Sequence, residues 1–227
     1  MSQPRRVSHW PLYDLRLRTE RLELRLPDTA LLEEMVDLVG HGIHPEATMP
    51  FGVPWTDLPS PQREREAVQH VLRSIAEWTP KSWVYLAVVT RDGRVVGAQD
   101  LKGVDFAACR MVRTGSWLGR EHQGQGLGQE MRAAVLELAF AHLGALEAQS
   151  AAFHDNAASQ GVSLRLGYEP NGSWLAPRRG RPDLMLGFRL TREGWLRHRR
   201  HQVTVTGVED CLELFGAGGP VPGQPPE

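Results

Sequence analysis

Lysine is almost missing from this chain: Lys81 and Lys102 are its two lysines among 227 residues, and arginine carries nearly all the positive charge. The formal net charge is −1 at pH 7, which gives no bulk electrostatic attraction to nucleic acid or to an anionic membrane. Cysteine is equally scarce. Cys109 and Cys211 lie far apart, which fits a reduced protein better than a disulfide framework, so a cytoplasmic location is expected. No stretch approaches the ~20 consecutive apolar residues of a membrane span, and the N-terminus lacks an apolar signal core. No internal repeat is visible, and no metal is expected.

What is present is ordinary in bulk and specific in one place. Hydrophobic residues make up 41% and charged residues 23%, the balance of a soluble chain with one sizeable core. The specific place is Trp117 to His142, WLGREHQGQGLGQEMRAAVLELAFAH. Ser116-Trp117-Leu118 suits the end of a strand, and three glycines follow at Gly124, Gly126 and Gly128. From Leu127 the apolar residues Leu127, Met131, Ala134, Val135, Leu138 and Ala141 take helical spacing. Strand, glycine-rich turn and helix aim unpaired N–H groups and the positive end of the helix dipole at one point. A phosphate is the expected occupant.

The common nucleotide readings fail on spacing. A dinucleotide fingerprint needs its third glycine at 129, which is Gln129, and a P-loop needs Lys-Ser/Thr where Gly128 is followed by Gln-Glu. The turn fits Gln-x-x-Gly-x-Gly instead, at Gln123, Gly126 and Gly128. This resembles the acyl-CoA pyrophosphate loop of the GNAT superfamily of N-acyltransferases. Downstream, Asn156, Ser159, Val162, Gly167 and Tyr168 fall at the spacing N-x-x-S-x-x-V-x-x-x-x-G-Y. That segment resembles the RimJ/RimL-type, ribosomal-protein acetyltransferase-like branch. Leu17-Arg-Thr-Glu-Arg-Leu-Glu-Leu-Arg-Leu26 is similar to its first strand, and Arg189-Leu-Thr-Arg-Glu-Gly-Trp195 to its ending.

The resemblance implies a GNAT fold, an α/β (α+β mixed-sheet) domain. Its central, mostly antiparallel splayed sheet would have about six to seven strands flanked by about four helices. Domain bounds follow: an arm at 1–14, the acyltransferase domain at 15–200, an extension at 201–215 and a disordered tail at 216–227. Asp28 is read as the cap of a helix over 29–39 ended by Gly40, and Ser60-Pro61 as the start of a second helix with Val68, Val71, Leu72 and Ile75 inward. Asp92-Gly93 signals a hairpin between strands near 83–89 and 95–98. Further strands are expected near 111–118 and 146–153, with a terminal hairpin around 178–182. Residues 41–59 hold four prolines, Phe51 and Trp55, so they either line a pocket or plug the core.

Acyl transfer from a thioester to an amine requires a held donor, a positioned thioester, a neutral amine and a protonated leaving thiolate. The N–H groups of Gln123, Gly124, Gln125, Gly126, Leu127 and Gly128 are candidates to contact the pyrophosphate, with the Gln123 and Gln125 side chains able to add contacts. By resemblance, backbone groups of the strand ending at Trp117 and Leu118 bind pantetheine where it parts from its neighbour at a bulge, with Gly115 and Gly119 permitting one. Many GNAT enzymes carry a tyrosine acid seven residues after the asparagine, where this chain has Ser163. The branch resemblance offers Ser159 as the acid and Asn156 as a pantetheine or acceptor contact; helix capping and a first-turn serine are the bland readings of both.

Asp100, Asp105, Glu121, His122 and Asp155 are candidates for the general base, with His41 and His44 behind them, and none is singled out. The basic runs at 178–181 and 197–201 read as solvated turns, with the 3′-phosphate of CoA or an acidic group as other partners. The expected activity is direct transfer of an acetyl or succinyl group from acyl-CoA to a primary amine: a protein N-terminus, a lysine or a small molecule. A non-catalytic acyl-CoA sensor is the alternative, and a nucleotide-dependent oxidoreductase the third reading. Nucleic acid and membrane are not expected as partners; a homodimer is an open possibility.

Overall fold

Two long strands, β3 (Ser82–Arg91) and β4 (Arg94–Val104), form the spine of the computed structural model, which describes residues 9–219. Asp92 and Gly93 turn the chain with φ of 53° and 78°, the doubly positive turn that Asp-Gly favours between twisted strands. Around this hairpin a nine-stranded sheet runs β7-β8-β6-β5-β4-β3-β2-β1-β9. The remaining strands are β1 (Arg16–Arg18), β2 (Glu23–Arg25), β5 (Met111–Leu118), β6 (Glu147–Phe153), β7 (Glu169–Arg178), β8 (Arg181–Thr191) and β9 (Thr204–Thr206). β5 and β6 are parallel, while every other neighbouring pair is antiparallel.

The sheet is larger than the six to seven strands expected. The opening segment breaks at Thr19–Leu22 into β1 and β2, where Thr19 N–H donates to the Leu22 carbonyl, and β9 adds itself to the β1 edge. Among the described residues six α-helices stand where about four were expected: α1 (Thr29–His41), α2 (Gln62–Ala76), the short α3 (Phe106–Cys109), α4 (Leu127–Glu137), α5 (Ala157–Arg165) and α6 (Arg192–His198). Asp28 caps α1 by accepting from Leu31 N–H, but Gly40 does not end the helix; the chain turns at Gly42, whose φ is 97°. Pro61 precedes α2 rather than opening it, and Ala67 and Val71 are its buried residues while Leu72 is 52% exposed.

The two faces of the sheet carry separate apolar clusters. α1 and α2 cover one with Leu31, Met35, Val39, Val71, Leu86 and Val88; α4 lies on the other among Leu24, Tyr85, Leu101, Val112 and Phe140. α4 is not amphipathic in the expected way: Leu127 and the residues from Glu130 to Glu137 are all buried, and a five-residue π-turn at Leu138–His142 prolongs it. Its charges are matched by distant partners. Thr19, Arg21 N–H and the Arg21 guanidinium converge on the Glu130 carboxylate, and Arg199 makes two bonds of 2.8 and 2.6 Å to Glu137. Burial works to raise the Glu130 carboxyl, but those hydrogen bonds outweigh it and hold it below its ordinary value.

The ends of the described chain are packed against this core. Leu12, expected in a surface arm, is fully buried in a 3₁₀ turn at Pro11–Tyr13. At the other end Phe215 is fully buried among Trp78, Trp83 and Tyr85, and the indole N–H groups of Trp83 and Trp78 donate to the Phe215 and Leu214 carbonyls. Residues 216–219 continue this packing, Gly216 and Ala217 N–H donating to Glu213 and Leu212 carbonyls and Gly219 accepting from Arg110. The remainder of the expected disordered tail, 220–227, and the first eight residues of the arm lie outside the described residues.

Candidate active site

β5 and β6 begin as neighbours and then part. Their ladder holds three register pairs, Met111↔Glu147 to Arg113↔Gln149. Beyond it, β5 keeps its pairing with β4 as far as Leu118, and β6 keeps its pairing with β8 as far as Phe153. The facing edges of Thr114–Leu118 and Ser150–Phe153 therefore lack a strand partner, and a V-shaped opening separates them. The expected bulge is absent: β4 and β5 pair from Gly97↔Leu118 to Gly103↔Val112 without a register shift. Gly115 serves another purpose, since a Cβ there would lie 2.8 Å from the Asp100 carboxylate. A side chain at Gly119 would meet Leu38 at 2.6 Å.

A cleft of about 750 Å³ runs through this opening. At its mouth lies the glycine turn. Gly124 and Gly126 take φ of 73° and 79°, the left-handed region where glycine is cheapest, and Gly126 forms the N-cap of α4. Gln123, Gly124 and Gly126 are exposed, and they line the cleft with Gly128. The N–H groups at the first positions of a helix have no partner within it, and of the residues after Gly126, Gly128 and Gln129 line the same space. No side chain of the turn obstructs that approach: a Cβ at Gly124 would have nothing within 4 Å. The site fits a diphosphate by its backbone alone.

The two glutamines of the turn do different work from that expected. Gln123 Nε2 donates to the carbonyls of Ile43 and Leu118 at 2.7 and 2.9 Å, tying the turn to the 41–59 loop and to the end of β5. Gln125 Nε2 donates to Glu121 O, its Oε1 accepts from Arg91, and its backbone carbonyl accepts from Arg21. Both side chains shape the turn. Leu127 faces the core, fully buried, so only its backbone is available to a ligand.

α5 closes the opposite side. Asn156 Oδ1 accepts from Ser159 N–H at 3.1 Å and caps the helix, and both residues line the cleft. The Asn156 amide nitrogen and the Ser159 hydroxyl have no hydrogen bond to protein among the described residues. Ser163 is taken out of contention as a free hydroxyl: it is 1% exposed, accepts from Arg132 at 2.8 Å and donates to the Ser159 carbonyl. Arg132, which no spacing argument marks, rises from α4 into the floor of the V.

The 41–59 loop lines a pocket. His44, Phe51, Trp55 and Trp117 follow one another with ring centroids 5.7, 5.5 and 6.4 Å apart, and all four border the cleft. The β7–β8 turn holds this loop down. Arg179 makes a bidentate pair with Asp57 and bonds the Glu46 carbonyl; Arg178 donates to Met49 O and to Asp155 and Asp183. This basic run is a clamp, contrary to the solvated turn expected, and in the second run Arg199 is committed to Glu137.

Of the seven base candidates, Asp100, Asp155 and His44 border the cleft. Asp100 faces it from β4; its Oδ1 is buried without a hydrogen-bond partner among the described residues, and its Oδ2 lies 3.4 Å from Lys102. His70, not among the seven, also lines that wall. Desolvation against it, then Lys102, lowers the imidazole below its ordinary value and favours the neutral ring.

A sheet parted between two parallel strands, with an amide-rimmed turn feeding a helix at the mouth, is the architecture of an acyltransferase of the GNAT class. The chain belongs to that family: the acetyltransferase (GNAT) domain profile matches residues 21–169, more than half its length. Among solved structures, RimJ from Mycobacterium smegmatis in complex with CoA-disulfide superposes with a TM-score of 0.62 at 18% identity, over 85% of this chain and 98% of that one. RimL, a ribosomal L7/L12 alpha-N-protein acetyltransferase in complex with coenzyme A, gives 0.62 at 18% identity over 76% and 95%. MccE, a microcin C7 self-immunity acetyltransferase in complex with acetyl-CoA and AMP, gives 0.57 at 15% identity over 76% and 93%. These are likenesses of fold, and they include the RimJ and RimL proteins whose motifs the sequence resembles.

Proposed function

We propose that the protein transfers an acetyl group from acetyl-CoA directly to a primary amine. The observation that carries this is the single open cleft joining the amide rim at Gly124–Gly128, the unpaired edges of β5 and β6, and the free polar groups of Asn156 and Ser159. The diphosphate rests on the rim, with the dipole of α4 behind it. Pantetheine completes the broken ladder by bonding the open edge of β5 up to Trp117 and Leu118. Backbone N–H groups on that edge face the thioester carbonyl, where negative charge grows during addition.

The acceptor enters under the 41–59 loop, between the aromatic wall and Asp100. A primary ammonium there meets the Asp100 carboxylate, together with the faces of Trp55 and Trp117. Asp100 holds the amine and His70, in the same wall and favoured as the neutral ring, receives its proton through water. Asn156 donates its amide to pantetheine and Ser159 its hydroxyl to the sulfur. By their likeness to RimJ and RimL, a protein N-terminus is the first acceptor to try; lysine side chains and small amines follow. A succinyl group is the longer alternative donor.

The test is to incubate the purified chain with mixed acyl-CoAs and a cell extract, then to identify acylated products by mass spectrometry while following thiol release. Amine-dependent thiol release with acetylated amine products is expected. Succinylated products would replace the donor assignment. Tight CoA binding with no thiol release above background would replace the enzyme by an acyl-CoA sensor, and protection from melting by NAD(P) would revive the oxidoreductase reading.

A further inference from the structure

We infer that Arg132 is the cation that holds the negative charge left on the coenzyme A sulfur when the thioester breaks. The inference rests on the reading of the cleft as an acyl-CoA site. The three ionised side chains of α4 are all buried, yet they are treated differently. Glu130 meets Arg21 and Glu137 meets Arg199. Arg132, 3% exposed, meets no carboxylate among the described residues. Its Nη1 donates to Ser163 Oγ at 2.8 Å and Ser150 Oγ at 3.3 Å, its Nη2 to Ser116 Oγ at 3.3 Å, and its Nε is buried without a hydrogen-bond partner.

Burying an ion costs several kcal/mol unless an opposite charge or full hydrogen bonding offsets it. Three hydroxyls supply only part of that. The arrangement is costly for a cation on its own and becomes favourable when an anion arrives. Its position says which part of the donor delivers one. Ser116 lies on β5 and Ser150 on β6, both beyond the last register pair, so the guanidinium spans the floor of the V where the strands have parted. Arg132 sits five residues along α4 from Leu127, about 7.5 Å at 1.5 Å per residue, further into the sheet than the diphosphate rim. The donor's thioester end is what lies there.

The chemistry also needs a cation. The amine nitrogen attacks the carbonyl carbon, a C–N bond forms, and the C–S bond breaks with its electron pair passing to sulfur. The amine proton leaves on the Asp100 and His70 side. A thiol has a pKa near 8.5, whereas a hydroxyl is a far weaker acid, close to water. Ser159 can hydrogen-bond the thiolate but does not surrender its proton to so weak a base. A guanidinium that keeps its own protons and is already desolvated can balance the charge until solvent protonates the thiolate. Burial lowers the Arg132 value, opposed by Tyr168 and Asp100, and an arginine remains charged throughout the working range.

Other charges near the cleft are accounted for. Lys102 is paired with Asp100, and Arg178 with Asp155 and Asp183. Burial raises the Tyr168 phenol and keeps it neutral. Arg165 is exposed on α5, and His44 and His70 stand on the acceptor wall.

The test compares CoA with desulfo-CoA by calorimetry between about pH 6 and 9.5, a window that brackets the ordinary thiol value. The intact chain should favour CoA increasingly as pH rises, with the bound thiol titrating at least about one unit below free CoA, a tenfold gain for the thiolate. In Arg132→Gln that shift should vanish and turnover fall roughly ten- to hundredfold, with desulfo-CoA affinity unchanged; Arg132→Lys should restore part of both. An undiminished shift in Arg132→Gln overturns the assignment to Arg132. A bound thiol titrating at or above the free value overturns the assignment while leaving the donor site standing. Failure of both ligands to bind overturns the donor site and this role together.

Discussion

Asn156 offers a way to separate what a residue does for the fold from what it does for the reaction. Its Oδ1 caps α5 through Ser159 N–H at 3.1 Å, and its amide nitrogen, bonded to no protein group among the described residues, faces the cleft. Asn156→Ala removes both. Loss of an N-cap costs about 1 kcal/mol, which in a domain of this size lowers Tm by roughly 2–4 °C. Asn156→Asp keeps the capping oxygen, so Tm should stay within about 1 °C of wild type. It nevertheless loses the amide donor and, in the proposed complex, places a carboxylate beside pantetheine and the departing thiolate. An unmet hydrogen bond of that kind costs about 1–3 kcal/mol, or roughly ten- to hundredfold in kcat/KM. Thermal melts and thiol-release kinetics on the three proteins check this. An aspartate variant with full turnover would refute the contact with the donor, and one that melts like the alanine variant would refute the cap.

Gly126→Val should weaken CoA binding at least tenfold in calorimetry, because a β-branched residue at φ 79° is strained and shields the rim; the nearest atom, Arg21 Nη2 at 3.6 Å, leaves the core untouched, so the fold should survive a loss of about 1–2 kcal/mol. Asp100→Asn should raise KM for the amine more than KM for acetyl-CoA, and an equal rise in both would remove Asp100 from the acceptor wall. Glu130 contributes stability fully above its unfolded value, near 4.5, and loses it as pH falls towards its lower folded value. The gap in Tm between wild type and Glu130→Gln should therefore be widest near neutrality and close as the solution is acidified; a constant gap would mean that the carboxylate charge plays no part. Phe215→Ala should cost about 3–5 kcal/mol in denaturant melts, since the ring is fully buried against Trp78 and Trp83; a near-neutral result would show the extension to be dispensable.

Local chemistry is legible in short stretches of the chain. Asp28 and Asn156 announce their caps, Asp92-Gly93 its hairpin, and the glycine turn its N–H groups, because each depends on residues within four positions of one another. The helix after Gly126 is equally plain. What it buries is not: the partners of Glu130 and Glu137 lie 109 and 62 residues away, so a periodicity argument leaves these charges and Arg132 for solvent.

The ordered motifs determined the family and the end of α4 at which the proposed diphosphate site lies, since three glycines and a helix start fix the direction of N–H groups by themselves. Only the tertiary structure decided that Gln123 and Gln125 brace the turn, that Arg178 and Arg179 fasten the aromatic loop over the cleft, and that Ser163 is spent on Arg132. It also decided where the sheet opens. β5 and β6 part because each holds longer to its outer neighbour than to the other, a competition between strands that no single segment of sequence records.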